Sequence, residues 1–234
     1  MTIWSHLREM RIRLIRALVG IGIGVALALM FSQMLLSLII RTTNGLNLKL
    51  ALLTPPEGFL VHLKIALVAG LFLSSPWWLG QIWAFIHPGL YPRERRVGGT
   101  ILFFSSFAFI CGGLFGYYTL PIIARYFSSF ATSEVEAIWS LSSYVNFSLQ
   151  MMVIFGVVFE LPLILYALSA LGVVTPYHLS KYRRHTIIAI LIVAGLITPP
   201  DVFSQVIVAV PLVILYEVGI WASKYAIRRK ESKS

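Results

Sequence analysis

The sequence predicts an all-α membrane protein with six transmembrane helices. Hydrophobic residues make up 58% of the 234 residues and charged residues only 12%, about half the charged fraction of a soluble domain. The mean hydropathy is +0.85, and the apolar residues come in runs of the length that spans a bilayer. Because lipid offers no hydrogen bonds to the backbone, the spans must be helical. This composition excludes a soluble, a disordered and a collagen-like chain.

Six apolar runs give the predicted spans of a single polytopic membrane domain, residues 1–234. At 1.5 Å per residue the fifth run reaches only about 20 Å, against a hydrocarbon core of about 30 Å. We expect short fifth and sixth helices joined by a tight turn, with the bilayer thinned or neighbouring protein covering the shortfall. The first run is longer than a signal-peptide core, which favours an uncleaved span. The predicted spans are about 14–40, 59–85, 97–123, 145–171, 186–198 and 202–221.

The distribution of Lys and Arg predicts the orientation. Six spans place both termini on one side, and 15 of the 19 Lys and Arg residues lie on that side. The other four are Arg41, Lys49, Lys64 and Arg125. Because cytoplasmic loops carry the excess of Lys and Arg, both termini are expected in the cytoplasm. The net basic charge is explained by topology in this way, and no nucleic-acid partner is expected.

The loops contain three helix-start signals. The segment Thr54-Pro55-Pro56-Glu57 has capping-box spacing and is expected to begin the second span. The segment 133–136 is a second possible box, predicted to open a short external helix that ends near Ser142. Thr175 followed by Pro176 predicts the start of the helix that enters the fifth span.

Two carboxylates stand out on the basic cytoplasmic face. Glu9 lies in the segment HLREMRIRL, and Glu94 lies in the segment YPRERR. One interpretation is a local ion pair, such as Glu9 with Arg13 at i,i+4. The other interpretation is a binding site for a cationic group. A face this basic repels a cationic ligand unless carboxylates are placed to receive it. Each carboxylate can bind a guanidinium through paired hydrogen bonds.

Two further carboxylates lie within predicted spans. Glu160 stands about 22 Å below the outer end of the fourth span by helix rise. An ionised carboxylate at that depth is costly, so Glu160 is expected to be protonated, paired or facing a polar cavity, and to be functional. Pro162 adds a kink in the same turn. For Glu217, pairing with Lys224 or a tail arginine is the alternative to a functional role.

The segment TPPDVFSQ joins the last two spans. Asp201 is predicted to cap the sixth helix through its carboxylate. Thr198 and Gln205 are polar groups that can hydrogen-bond to another helix. No Gly-x-Ser-x-Gly, phosphate-binding loop or dinucleotide fingerprint is present. With the single cysteine Cys111 and no Cys/His cluster of metal-ligand spacing, the sequence predicts no catalytic residue, metal or cofactor.

Four segments in order resemble the TatC family, the large membrane component of the twin-arginine protein translocase. The resemblance runs from about Trp4 to Tyr225, nearly the whole chain. The segments are HLREMRIRL at the N-terminus, QIWAFIHPGLYPRERR between the second and third spans, FGVVFELP in the fourth, and ITPPDVFSQVIVAVPLVILYE across the fifth and sixth.

The resemblance implies a receptor without enzymatic activity in the bacterial cytoplasmic membrane, folded as a concave helical bundle. Members of the family bind signal peptides that carry a consecutive arginine pair on folded precursors, at the cytoplasmic face. They assemble with the small single-span proteins TatA and TatB, and self-association within the complex is expected. Transport is driven by the proton gradient, and no cofactor is implied.

Site residues follow from the same resemblance by position. Glu9 and Glu94 match the family's two acids at the arginine-pair site. Glu160 matches the acid of the fourth span that faces the concave cavity, and Thr198 and Gln205 match polar positions near the docking site of a partner helix. The residues expected to shape the arginine-pair site are Arg11, Arg13, Phe85, Arg95 and Arg96.

Two other classes of function are alternatives to a receptor. A proton-coupled small-solute transporter would use Glu160 as its proton carrier, and would move solute or protons when reconstituted alone. A receptor would only bind peptide in that experiment. A membrane-embedded protease needs a nucleophile and a base that the sequence does not provide.

Overall fold

The computed structural model describes residues 3–46, 48–86, 98–132, 137–198 and 201–231. Within these residues the chain forms ten α-helices and two short β-strands. Their bounds are α1 Ile3–Met30, α2 Ser32–Arg41, β1 Leu48–Ala51, α3 Glu57–Leu73, α4 Ser75–Ile86, α5 Gly98–Ser128, β2 Ala137–Ser140, α6 Leu141–Phe159, α7 Leu161–Ala170, α8 Pro176–Lys181, α9 Arg183–Ile197 and α10 Val202–Glu231.

The chain packs as two compact units. Unit 1 comprises Met1–Phe85 with Phe109–Gly156, and unit 2 comprises Ile86–Ala108 with Val157–Ser234. Both α5 and α6 contribute residues to each unit. The organisation as a single membrane domain therefore stays a prediction.

The described residues include four helical segments that are long and apolar enough to cross a membrane. A bent pair, Glu57–Leu73 with Ser75–Phe85, becomes a fifth when it is counted as one span. The predicted class of a mostly helical membrane protein is thereby confirmed, whereas the count of six spans stays a prediction. The four segments are Leu7–Met30, Leu102–Ser128, Leu141–Ala170 and Val202–Ile227.

Three of the predicted continuous spans contain breaks. The second bends by 55° between α3 and α4, where Ser74 Oγ donates to the Gly70 carbonyl at 2.7 Å and Pro76 lacks a backbone N–H. The fourth breaks at Glu160, two residues before Pro162. The first breaks at Phe31, where neither proline nor glycine marks the position in the sequence.

The last two helices differ from each other in length. α9 has 15 residues, a rise of about 22 Å, and is preceded by the separate short helix α8. The prediction of a short sixth helix is wrong, because α10 has 30 residues. The basic tail consists largely of good helix formers and extends the helix beyond the apolar run. Ala226 in this extension is buried beside Ala170, with Tyr166 packed against them.

A two-stranded parallel sheet in unit 1 pairs β1 with β2. Leu48 pairs with Ala137, and the register continues to Ala51 opposite Ser140. The prediction of an external helix ending near Ser142 is wrong here, because β2 occupies 137–140 and α6 begins at Leu141. The pairing joins segments far apart in the chain, and Trp139 packs against the buried cluster of unit 1. The capping signal itself, residues 133–136, lies outside the described residues.

Glu57, the first residue of α3, connects three elements of unit 1. Its Oε2 accepts backbone N–H hydrogen bonds from Leu53 at 2.6 Å and from Thr54 at 3.1 Å. The predicted capping box is not formed, because Pro56 is the N-cap of α3 and makes no side-chain cap hydrogen bond. Its Oε1 accepts the Ser140 hydroxyl at 2.6 Å and the Ser142 N–H at 2.7 Å. This buried carboxylate therefore ties α3 to β2 and to the start of α6 through charge-assisted hydrogen bonds.

Small residues allow the helices of unit 1 to approach closely. A Cβ at Gly112 would stand 2.3 Å from the Phe155 carbonyl oxygen, and one at Gly116 would stand 2.9 Å from the Met151 carbonyl oxygen. The spacing Gly112-x-x-x-Gly116 is the small-residue pattern of tight helix pairs in membranes. Backbone contact between α5 and α6 thus depends on these glycines.

Polar contacts join α10 to its neighbours in unit 2. The buried hydroxyls of Ser169 on α7 and Ser223 on α10 share a hydrogen bond. Arg183 Nη2 at the start of α9 donates to Glu217 Oε2 on α10 at 2.9 Å. Glu217 thus pairs with Arg183, whereas the sequence suggested Lys224 or a tail arginine. Both members of this ion pair are more than one third exposed.

Gly112→Ala should destabilise the protein because its methyl group meets fixed backbone. Overpacking of this kind costs about 1–3 kcal/mol. Gly22→Ala is the matched control, because a Cβ at Gly22 on α1 meets nothing within 4 Å, and it should stay within about 1 kcal/mol of the wild type. Unfolding in detergent followed by circular dichroism measures both, and equal stability of the two variants would contradict the tight α5–α6 contact.

Glu57→Gln should lower the melting temperature in detergent more than Glu217→Gln does. A glutamine keeps one acceptor oxygen, but its NH2 group replaces the second carboxylate oxygen. That NH2 group then faces the donors whose hydrogen bonds the oxygen accepts in the wild type. Glu217 is a fair control, since exposed ion pairs contribute little to stability. Equal melting temperatures for the two variants would show that the Glu57 contacts are not structural.

Candidate functional site

The candidate site at the N-terminus is built on α1. Arg13 Nε and Nη2 donate to Glu9 Oε1 at 3.0 and 2.6 Å, which is the i,i+4 ion pair that the spacing allows. The side chains of Arg13 and Glu9 are 23% and 29% exposed. Both donors bind the same oxygen, and within the described residues Glu9 Oε2 has no hydrogen-bond donor. Glu9 therefore presents one acceptor oxygen beside a partly exposed guanidinium.

The other residues predicted for this site fall into two groups. Arg11 is exposed on α1, and Phe85 lies half-buried near the end of α4. Glu94, Arg95 and Arg96 lie outside the described residues. Of the predicted site residues, the structure thus brings Glu9 and Arg13 into contact.

Glu160 is the second candidate site, at the junction between α6 and α7 in unit 2. The side chain is buried, with 6% of the residue exposed. Its Oε2 accepts the Ser105 hydroxyl of α5 at 2.7 Å. Its Oε1 is buried with no hydrogen-bond partner among the described residues. A buried, half-satisfied carboxyl group is costly, and such residues in membrane helices are candidates for functional sites.

Ser105 is a residue of this site that the sequence interpretation did not select. It is fully buried and supplies the hydrogen bond to Glu160. The available signal was the pair Ser105-Ser106 within the otherwise apolar stretch ILFFSSFAFI. Interhelical hydrogen bonds are one use of serine in membrane spans, but which residue the hydroxyl meets depends on the packing of α5 against the α6–α7 junction.

The third group lies where α9 meets α10. Asp201 Oδ1 accepts the Ser204 N–H at 2.8 Å, the contact that an N-cap makes. Thr198 is buried and donates to the Ala194 carbonyl of its own helix at 2.9 Å. Gln205 Nε2 reaches back to the Leu191 carbonyl on α9 at 2.9 Å. These polar side chains therefore stabilise the α9–α10 connection from within.

The described residues bring together no group of three or more His, Cys, Asp and Glu side chains that could hold a metal ion. The sites found are instead single carboxylates, each with one cationic or hydroxyl neighbour. Such groups are suited to binding and orienting a ligand rather than to covalent chemistry. Long apolar helices with isolated carboxylates define a multi-pass helical membrane protein of the transport or receptor type.

The family follows from comparison with known proteins. Residues 5–211 match the family described as Sec-independent protein translocase protein (TatC), and the chain belongs to this family. The TatC proteins of Desulforapulum autotrophicum and Carboxydothermus hydrogenoformans are 35% and 34% identical to it, over 97% and 99% of this chain and 86% and 96% of theirs. These relatives are named as a protein translocase component, so the chain is a transport subunit and not an enzyme.

Solved structures agree with this assignment. A crystal structure described as the twin arginine translocase receptor TatC in DDM superposes with a TM-score of 0.86 at 33% identity, covering 93% of this chain and 99% of that one. A second structure of a twin arginine translocase receptor TatC has a TM-score of 0.85 at 33% identity, with coverages of 95% and 99%. The resemblance read from the four sequence segments is therefore confirmed.

Ser105→Ala should destabilise the protein by about 1–3 kcal/mol, because it leaves a buried carboxyl group without its donor. The neighbouring Ser106 is also buried, but its hydroxyl has no partner among the described residues. Ser106→Ala is therefore the matched control and should be neutral or slightly stabilising. Chemical unfolding in detergent measures both, and an equal loss from the two variants would mean that the Ser105–Glu160 hydrogen bond contributes nothing.

Proposed function

We propose that this chain is the receptor subunit of a twin-arginine translocase, and that it binds arginine-pair signal peptides of folded precursors at its cytoplasmic face. Membership of the TatC family supports the proposal, as does the description of a 33% identical structure as a twin arginine translocase receptor. The observation that carries it is Glu9, a partly exposed carboxylate on a strongly basic helix, whose Oε2 has no donor in the part of the chain that the structure describes.

The proposed binding of the arginine pair starts from Glu9. Arg13 holds Glu9 through Oε1, and a guanidinium of the signal peptide bonds to Oε2. Glu94 receives the second guanidinium. The cations predicted for the site, Arg11, Arg95 and Arg96, repel ligands that lack this match. A planar guanidinium fork satisfies a carboxylate better than an ammonium group does, which selects arginine over lysine.

The other two sites serve the rest of the transport cycle. The apolar part of the signal peptide lies along the protein surface near Glu160. The small single-span subunits TatA and TatB dock a helix at Thr198 and Gln205. Gln205 already uses its NH2 group on the Leu191 carbonyl, so its amide oxygen is the group offered to a partner helix. Copies of the chain self-associate in the assembled complex.

The topology proposed with this function has six spans. α8 and α9 together make the short fifth crossing, and both termini lie in the cytoplasm of a bacterium, with the chain in its inner membrane. The excess of Lys and Arg on the side of the termini supports this orientation. Export is driven by the proton gradient. Proton-coupled solute transport through Glu160 is not favoured by the family, and the protein reconstituted alone is expected to move neither solute nor protons.

The double variant Glu9→Gln/Glu94→Gln should raise the dissociation constant of an arginine-pair peptide at least about tenfold, if each charged contact contributes about 1.5–3 kcal/mol. The amide side chains keep the shape of the site but remove its charge. Fluorescence anisotropy of a labelled signal peptide, titrated with the protein in detergent, measures the effect. A peptide with a lysine pair should bind the wild type less tightly.

Glu217→Gln is the matched control, because Glu217 is another carboxylate in an Arg ion pair on a helix surface. It should leave the dissociation constant unchanged. Undiminished binding of the arginine-pair peptide to the double variant would discard Glu9 and Glu94 as the site. An equal loss from Glu217→Gln would show that overall charge, and not this pair, governs binding.

A further inference from the structure

Unit 1 contains an apolar groove of about 640 Å³. Its three main walls come from α2, α3 and α5, with further residues from α1 and α6. Leu38 on α2, Val68 on α3 and Tyr118 on α5 each lie in one of these walls. Lining residues such as Met34 and Tyr118 are 63% and 69% exposed, so the groove opens to the surroundings of unit 1. Its lining is almost entirely hydrocarbon and aromatic, which suits an aliphatic chain.

Three cations stand at one end of the groove walls. Arg41 lies one turn beyond Leu38 on α2, about 4.5 Å along the axis, and Lys64 lies one turn before Val68 on α3, about 6 Å away. Arg125 follows Tyr118 by seven residues on α5, a spacing of about 10 Å that returns to the same helix face. Long cationic side chains extend from such positions toward a polar interface.

These cations share an end of unit 1 for a structural reason. α2 ends at Arg41 and leads into β1, α5 ends shortly before β2, and α3 begins at Glu57, which hydrogen-bonds to β2. The sheet therefore marks the end at which all three walls carry a positive charge. Within the described residues none of Arg41, Lys64 and Arg125 takes part in an ion pair.

The charge distribution makes this end unusual. The side of the chain away from the termini has only four Lys and Arg residues, and three of them are Arg41, Lys64 and Arg125. Orientation in the membrane disfavours cations on that side, so their gathering around one groove needs another physical reason. A phosphate group provides it, because guanidinium and ammonium groups bind phosphate oxygens through charge-assisted hydrogen bonds.

We propose that this groove is a binding site for an anionic phospholipid, with an acyl chain lying in the groove and the phosphate held by Arg41, Lys64 and Arg125. The lipid would fill the apolar volume among α2, α3 and α5 and bridge their ends beside the sheet. Placing the lipid in the outer leaflet depends on the proposed topology, whereas binding itself does not. The site is independent of peptide recognition by Glu9 and Glu94.

Spin-labelled lipids test the proposal in phosphatidylcholine vesicles that contain the reconstituted full chain. The probes are phosphatidylglycerol and phosphatidylcholine, each with a nitroxide near the end of one acyl chain. Electron spin resonance separates motionally restricted from bulk lipid, and wild-type protein should restrict phosphatidylglycerol preferentially. Equal restriction of the two probes by the wild type would overturn the proposal. That result would also be found if a protein helix, and not a lipid, filled the groove.

Matched variants locate the site. Lys64→Gln should lower the association constant of phosphatidylglycerol about fivefold, the effect of one cation near an anionic headgroup. Lys49→Gln on β1 removes the same charge and should leave the preference unchanged. An equal loss from both variants would mean diffuse surface attraction and would overturn the proposed site.

A second pair of variants tests the groove itself. Leu114 lines the groove and is 50% exposed, whereas Leu67 is 53% exposed and does not line it. Leu114→Trp should fill the groove and abolish the preference for phosphatidylglycerol, and Leu67→Trp should not. A preference that survives Leu114→Trp would overturn the assignment of the acyl chain to the groove. Signal-peptide binding should be the same in all four variants, which separates this test from that of the receptor function.

Discussion

The structure depends on one constraint: inside a bilayer, every backbone hydrogen-bonding group must find its partner within the protein. The break between α3 and α4 shows how this is met. Ending α3 frees carbonyls in its last turn, and Trp78 Nε1 donates to that of Leu71 at 2.9 Å. The Gly70 carbonyl accepts both the Ser74 N–H at 3.0 Å and the Ser74 hydroxyl at 2.7 Å. A bend of 55° thus exposes few unpaired groups. Side-chain donors allow the spans to bend without the cost that bare carbonyls would carry.

The same constraint makes Glu160 exceptional. At the break between α6 and α7 the group left half-satisfied is a carboxyl, with one oxygen bonded to Ser105 and the other buried without a described partner. The junction itself is closed by local bonds, since the Glu160 N–H reaches the Val157 carbonyl at 3.1 Å. The backbone therefore does not require this carboxyl group. A buried carboxyl group that the backbone does not require is consistent with the role proposed for Glu160.

How far the sequence predicted the structure depends on the range of the interactions. Long apolar runs correctly predicted the membrane class. The segment Thr54 to Glu57 correctly predicted where α3 begins, although Pro56 and not Thr54 is the N-cap. Local patterns could not predict the parallel pairing of β1 with β2 or the hydrogen bond from Ser105, because each joins segments far apart in the chain. The break at Phe31 carries no proline or glycine. The continuation of α10 into the basic tail follows from helix propensity, which a count of apolar residues ignores.

Magnitudes decide whether the Glu9–Arg13 ion pair excludes a ligand. A partly exposed i,i+4 pair is worth about 0.3–0.5 kcal/mol. Displacing or sharing Arg13 therefore costs little. Arg13 already uses a single oxygen, so sharing needs no displacement. The local ion pair is thus compatible with the proposed binding site on α1.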